Sequence, residues 1–236
     1  MLPKGILFDL DDTILAYGGI SEPIWREVCE QFSPENHKLD PETLYREIKE
    51  ISHWYWSDPE RHKIGRSDLN SARRYVLELV FEKLGVDDIP LAHEIGETFQ
   101  KRREEELYLF DGARETVEYF YKNGVALAMM TNGEKEKQRE KIERFDLEKF
   151  FRIILIEGEQ GFGKPDERVY KKALEGLGLK PEDVWAVGDS LEFDIEGPQK
   201  LGIFSIWNDY RKKGLPEGSG IVPDRIVNSI RELFEV

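Results

Sequence analysis

Asp9, Asp11 and Asp12 crowd into one short run, Asp9-Leu10-Asp11-Asp12-Thr13, close to the N-terminus. Three further clusters follow: Thr131-Asn132-Gly133, Lys164-Pro165-Asp166, and Gly188-Asp189-Ser190 leading to Asp194. Taken singly, each has an ordinary reading. An Asp-x-Asp is a solvated turn, Thr-Asn-Gly a tight turn, and a lone Lys a surface residue. Taken together they supply hard oxygen donors for a divalent cation, hydroxyl and amide donors for an anion, and one ammonium.

The elements that must position these groups are short. Gly5 to Leu10, Val125 to Thr131, Arg152 to Ile156, Val184 to Gly188 and Ile203 to Trp207 are apolar runs bounded by charge or Gly, which reads as buried strands. Each of the four clusters begins at or just past the end of one of the first four strands, the edge on which open parallel sheets bind ligands. Segments Ala113 to Lys122, Lys135 to Arg144, Glu167 to Leu177 and Leu191 to Leu201 read as the intervening helices. Alternation of this kind predicts an α/β fold, a doubly wound parallel sheet of Rossmann-like form. Residues 17–107 break the rhythm. The segments around Trp25, Leu44 to Trp56, Leu69 to Leu84 and His93 to Leu107 read as helices with no strand between them, so an all-helical domain is expected inside a core of residues 1–16 and 108–236. Gly18-Gly19 and the Asp111-Gly112 loop are the expected hinges, because Gly tolerates the backbone angles that a moving lid needs.

The four clusters, in this order and spacing, resemble the motifs of the haloacid dehalogenase superfamily, and the resemblance spans the whole chain. It implies a phosphatase with a helical cap of the first cap class over the core. It also implies roles: Asp9 as nucleophile, Asp11 as general acid and base, and magnesium held by the carboxylates of Asp9 and Asp189 with the backbone carbonyl of Asp11. Thr131 and the Asn132 backbone would hold phosphate oxygens, Lys164 would screen the crowded charge, and Asp194 would order a metal-bound water or Lys164. The expected product is phosphate released from a small phosphorylated metabolite.

Four other readings compete. Gly158 to Lys164 (Gly-Glu-Gln-Gly-Phe-Gly-Lys) nearly spells a nucleotide phosphate loop, but Pro165 replaces the Ser or Thr whose hydroxyl would bind magnesium. A haloacid dehalogenase needs no acid for a halide leaving group, which the presence of Asp11 argues against. A phosphomutase of the same superfamily shares all four motifs. A phosphorylated receiver-like signalling module combines similar residues but has about half this length.

Bulk composition narrows the class. The 236 residues carry 34 basic and 48 acidic side chains, a formal charge of −14, with 39% hydrophobic residues, which describes a folded protein whose field repels nucleic acid and anionic membranes. No apolar run reaches the roughly 20 residues needed to span a bilayer, and the single cysteine, Cys29, suits a reducing compartment. The expectation is a cytoplasmic monomer or homodimer. Within the helical segment, His53-Trp54-Tyr55-Trp56 followed by Arg61, His62, Lys63 and Arg66 gathers aromatic and basic groups that either pack and pair locally or sort substrates. Phe162, Glu192 and Trp207 near the sheet edge are further candidates for that sorting.

Overall fold

The computed structural model describes residues 2–33 and 39–236. In chain order the elements are β1 (Gly5–Phe8), β2 (Leu15–Ala16), α1 (Ser21–Phe32), α2 (Pro41–Ser57), α3 (Pro59–Gly65), α4 (Leu69–Leu84), α5 (Ile89–Glu106), β3 (Tyr108–Leu109), α6 (Ala113–Lys122), β4 (Ala126–Thr131), α7 (Lys135–Arg144), β5 (Ile153–Ile156), α8 (Glu157–Gln160), α9 (Glu167–Leu177), β6 (Val184–Gly188), β7 (Phe204–Asn208) and β8 (Arg225–Val227). They fall into two compact units, one built from Met1–Ala16 with Tyr108–Val236 and the other from Tyr17–Leu107. No helix among the described residues is long and apolar enough to cross a membrane.

The first unit is a six-stranded sheet in the order β5-β4-β1-β6-β7-β8, with every pairing parallel. This is the doubly wound α/β fold. Because side chains alternate across a strand, Ile6 and Phe8 of β1 join Val117 and Phe120 of α6 in one apolar cluster, while Leu7 joins Val169, Tyr170 and Leu177 of α9 in another. β1 is therefore buried on both faces, with β4 and β6 as its hydrogen-bonded neighbours. Strands β2 and β3 form a separate antiparallel pair that ties the two segments of this unit together.

Three departures from the sequence reading have local causes. The region Leu191–Glu196 is a π-helical turn followed by a short helical turn at Gly197–Gln199, in place of one helix to Leu201. Pro198 has no N–H to return to the Asp194 carbonyl, so the regular ladder cannot continue through it. Asp111-Gly112, expected as a hinge, lies past the boundary between Leu107 and Tyr108: it follows β3 inside the first unit, where Gly112 caps α6 at φ 73° and Arg231 pairs with Asp111 at 2.9 Å. Finally, β8 and α3 carry no strong pattern in the sequence, being three and seven residues long.

The second unit has its own core of Ile24, Val28, Leu44, Ile48, Leu77, Phe81, Ile95 and Phe99, contributed by α1, α2, α4 and α5. Four of its helices start on an aspartate that accepts a backbone N–H three residues on: Asp40 before α2, Asp58 before α3, Asp68 before α4 and Asp88 before α5. Cys29 lies in this core, where burial pushes its thiol up to about 12. It is inert packing, as its surroundings dictate.

Candidate active site

Asp9 and Asp189 hang from the same edge of the sheet, at the ends of β1 and β6. Asp9 follows β1, and its N–H continues the ladder by donating to the Val187 carbonyl at 2.9 Å. The residue is 7% exposed; Oδ2 accepts from the Thr13 hydroxyl at 3.1 Å, and Oδ1 from Lys164 Nζ at 2.6 Å. The same ammonium donates to Asp194 Oδ1 at 2.7 Å, so Lys164, 3% exposed, bridges two buried carboxylates. Asp194 Oδ2 in turn accepts the Ser190 N–H at 3.0 Å. Asp194 comes this close to β6 only because residue 188 is glycine, since a Cβ there would lie 2.1 Å from Asp194 Cγ.

Asn132 fixes the lysine from the neighbouring strand end. Its Oδ1 accepts the Lys164 N–H at 2.8 Å and its Nδ2 donates to the Lys164 carbonyl at 2.7 Å. Asp189 is brought in from β6, and Trp207 Nε1 pins its carbonyl at 2.7 Å. Trp207 is buried and braces this loop through that bond. Phe162 is covered by the Arg168 guanidinium, whose Cζ stands 4.5 Å from the ring centre.

Asp9, Asp189 and Asp194 can each offer one oxygen within 4.8 Å of the others. Burial pushes the Asp9 carboxyl up to about 7, with Lys164 opposing the shift and Asp194 adding to it. Burial likewise raises Asp189 to about 9, and the charges of Asp9, Asp194 and Asp12 push the same way. For Lys164, burial works against the ammonium, but Asp194 and Asp9 outweigh it and hold the group above its ordinary range. One ammonium does not balance so many acids. A hard divalent cation fits this donor set, and among the described residues the Asp189 carboxylate takes no hydrogen bond that would compete for it.

The structure adds two residues that the pattern of the sequence did not single out. Gln138 and Lys141 lie on the inward face of α7 with Ile142, and both polar groups are buried. Lys141 Nζ donates to both oxygens of Asp11, at 2.9 and 2.7 Å. Gln138 Nε2 donates to Asp11 Oδ2 at 3.0 Å, to the Asn132 carbonyl at 3.0 Å and to the Thr131 hydroxyl. The helix carries one anomaly: Ile142 is its only apolar residue, and it is buried in the cluster that holds Phe8 and Met129.

Carboxylates and a buried lysine are thus gathered at the central strand ends of a parallel sheet. The chain belongs to the haloacid dehalogenase-like hydrolases, whose family model matches residues 6–208. Over 98% of its length it is 31% identical to phosphoserine phosphatase of Thermus thermophilus, of which the match covers 98%. Over 99% of its length it is 30% identical to glyceraldehyde 3-phosphate phosphatase of Pyrococcus furiosus, of which 92% is covered. Among solved structures, the hydrolase YfnB of Bacillus subtilis, crystallised with magnesium, superposes with a TM-score of 0.74 at 24% identity, covering 98% of this chain and 96% of that one, a likeness of fold. The chain is an enzyme of this family, a phosphoric monoester hydrolase.

Proposed function

We propose that this enzyme is a magnesium-dependent phosphatase for small phosphorylated metabolites, working through a phosphoryl group carried briefly on Asp9. The observation that carries the reading is the buried bridge of Lys164 between Asp9 and Asp194, with Asp189 completing the acidic cluster. The carboxylates of Asp9 and Asp189 and the carbonyl of Asp11 are the groups that would hold magnesium, which when bound neutralises charge on the phosphate.

The chain's own residues account for the proton and bond changes. An Asp9 carboxylate oxygen attacks phosphorus, and as the ester P–O bond breaks Asp11 gives its proton to the leaving oxygen. The ionised Asp11 then takes a proton from water as that water attacks phosphorus, and Asp9 departs as a free carboxylate. Lys164 keeps Asp9 oriented and offsets its charge through both steps. The Thr131 hydroxyl and the Asn132 N–H serve as donors to phosphate oxygens, while the Asn132 side chain is already committed to Lys164. The helical unit of residues 17–107 acts as the cap that sorts substrates.

Phosphoserine and glyceraldehyde 3-phosphate, the substrates named for the two relatives, come first among compounds to test, followed by phosphoglycolate, sugar phosphates and nucleoside monophosphates. The test is phosphate release from such a panel, with magnesium and with excess chelator. Activity that survives full chelation would remove the metal from the reading, and a panel that yields no phosphate under any divalent ion would remove the activity itself.

A further inference from the structure

We infer that Lys141 and Gln138 form a clamp that positions Asp11 for proton transfer, and that Gln138 couples this clamp to the phosphate-binding Thr131. The inference rests on Asp11 acting as the acid and base of the proposed reaction.

The Asp11 carboxylate is held from α7. Among the described residues, all its side-chain hydrogen bonds come from Lys141 and Gln138, and they engage both oxygens. A carboxylate at a loop end with 23% of its side chain exposed would otherwise turn freely about two torsions. Bonding from two fixed points of one helix removes that freedom before substrate arrives, which is the condition for efficient proton transfer. The donors are themselves fixed: Gln138 is 2% exposed, and it and Lys141 sit three residues apart on one face of α7.

These residues are costly where they are. An inward helix position normally takes an apolar side chain, and burying an ammonium or an amide is unfavourable unless specific partners satisfy it. Here the partners are the site's own groups. Gln138 Nε2 reaches Asp11, Thr131 and the Asn132 carbonyl, so one amide sets the spacing between the proton-transfer group and the phosphate-binding loop. With Gln138 donating to it, the Thr131 oxygen acts as acceptor and its own hydrogen remains available for a phosphate oxygen. Its internal contact, to the Asn132 carbonyl at 3.5 Å, is long. In this scheme Lys141 and Gln138 touch neither the phosphorus nor the leaving oxygen and act through Asp11 and Thr131; they are positioning residues.

The test uses the full-length enzyme with magnesium, comparing an alkyl phosphate, whose leaving oxygen needs a proton, with nitrophenyl phosphate, whose leaving group hardly does. Lys141→Met should lower kcat on the alkyl ester roughly 10- to 100-fold, with KM little changed. Formation of the Asp9 adduct from nitrophenyl phosphate should fall much less, and intact-mass measurement should find the adduct accumulating because its hydrolysis is slowed. Lys141→Arg should restore part of the rate, and Gln138→Leu should reproduce the defect with an added rise in KM through Thr131. A uniform loss on both esters, or native turnover of the alkyl ester by Lys141→Met, overturns the clamp. Should Lys141→Met fail to fold, Lys141→Gln, which keeps a donor without the charge, decides by the same two esters. Asp11→Asn separates the inference from the reading beneath it. If Asp11→Asn is impaired on the alkyl ester and Lys141→Met is not, the clamp fails and the acid-base role stands; if Asp11→Asn itself turns over normally, the acid-base role fails.

Discussion

Asn132 and Lys164 hold each other by a reciprocal pair of hydrogen bonds, side-chain amide to backbone in both directions, at 2.7 and 2.8 Å. The pair spans two strand ends and sets the height at which the Lys164 side chain starts toward Asp9 and Asp194. Asn132→Ala leaves a buried backbone donor and acceptor without their partners, at a cost of about 1–3 kcal/mol. The variant should melt earlier in urea and lose turnover, because the ammonium no longer has a fixed origin. Unchanged stability together with unchanged kcat would show that the loop holds itself without Asn132.

The raised carboxyls make a signed prediction about pH. Burial lifts Asp9 to about 7 and Asp189 to about 9 from an ordinary value near 3.8, so without metal the folded state binds more protons there than the unfolded chain. Their contribution to stability is complete below about pH 4 and is lost as pH rises through 7 and 9. Chelated protein should therefore melt at progressively lower temperature between pH 5 and 9 relative to an Asp189→Asn variant, which lacks one of these groups. Magnesium should stabilise the native protein more at pH 8 than at pH 6, since binding must displace fewer protons. A magnesium effect that is flat across this range would argue that the cluster is already ionised.

The strands and the four motif clusters were legible because each is a local signal: a short apolar run ending in acids, hydroxyls or glycine. β1 and β6 could be placed almost to the residue for that reason, and Asp9 and Asp189 with them. Gln138 and Lys141 escaped because a polar residue on a helix carries no sign of which way it points, and Ile142 alone fixes no stripe. β8 escaped because its Arg225 and Ile226 are exposed, as befits an edge strand, so no buried run announces it. The Leu191–Glu196 turn was misread as regular helix because Pro198 acts on the hydrogen bond four residues before it.

The aromatic run of the helical unit divides by burial, and the division is testable. Tyr55 is 6% exposed and packs with Ala72 and Val76, whereas Trp54 is 45% exposed with the Arg61 guanidinium 3.9 Å from its ring centre. Tyr55→Ala should cost about 3 kcal/mol or more in denaturant unfolding, the usual penalty for emptying a buried aromatic site. Trp54→Ala should leave stability nearly unchanged and alter the ranking of substrates across the panel, and Arg66→Ala should likewise shift that ranking. If both variants keep the native ranking, these residues serve surface packing and pairing, and selection resides elsewhere in the helical unit.

Asp9 and Asp11 stand two residues apart, yet their surroundings assign them different tasks. Asp9 is buried against Lys164 and Thr13, in the acidic cluster, while Asp11 is part-exposed and held from α7. Asp9→Asn should abolish turnover, since an amide is a poor nucleophile and a poor metal ligand, and no covalent adduct should form with any ester. Asp11→Asn keeps the nucleophile and removes the proton donor and later base, each worth roughly 100- to 10,000-fold. With nitrophenyl phosphate this variant should still phosphorylate Asp9 and then release phosphate slowly enough for intact-mass measurement to catch the adduct. Magnesium binding, followed by the thermal shift it produces, should survive in Asp11→Asn, whose backbone carbonyl is intact, and weaken in Asp9→Asn. An Asp9→Asn enzyme that turns over alkyl phosphates at an appreciable rate would place the nucleophile elsewhere. An Asp11→Asn enzyme that is folded, metal-loaded and fully active on the same esters would show that the leaving oxygen takes its proton from another source.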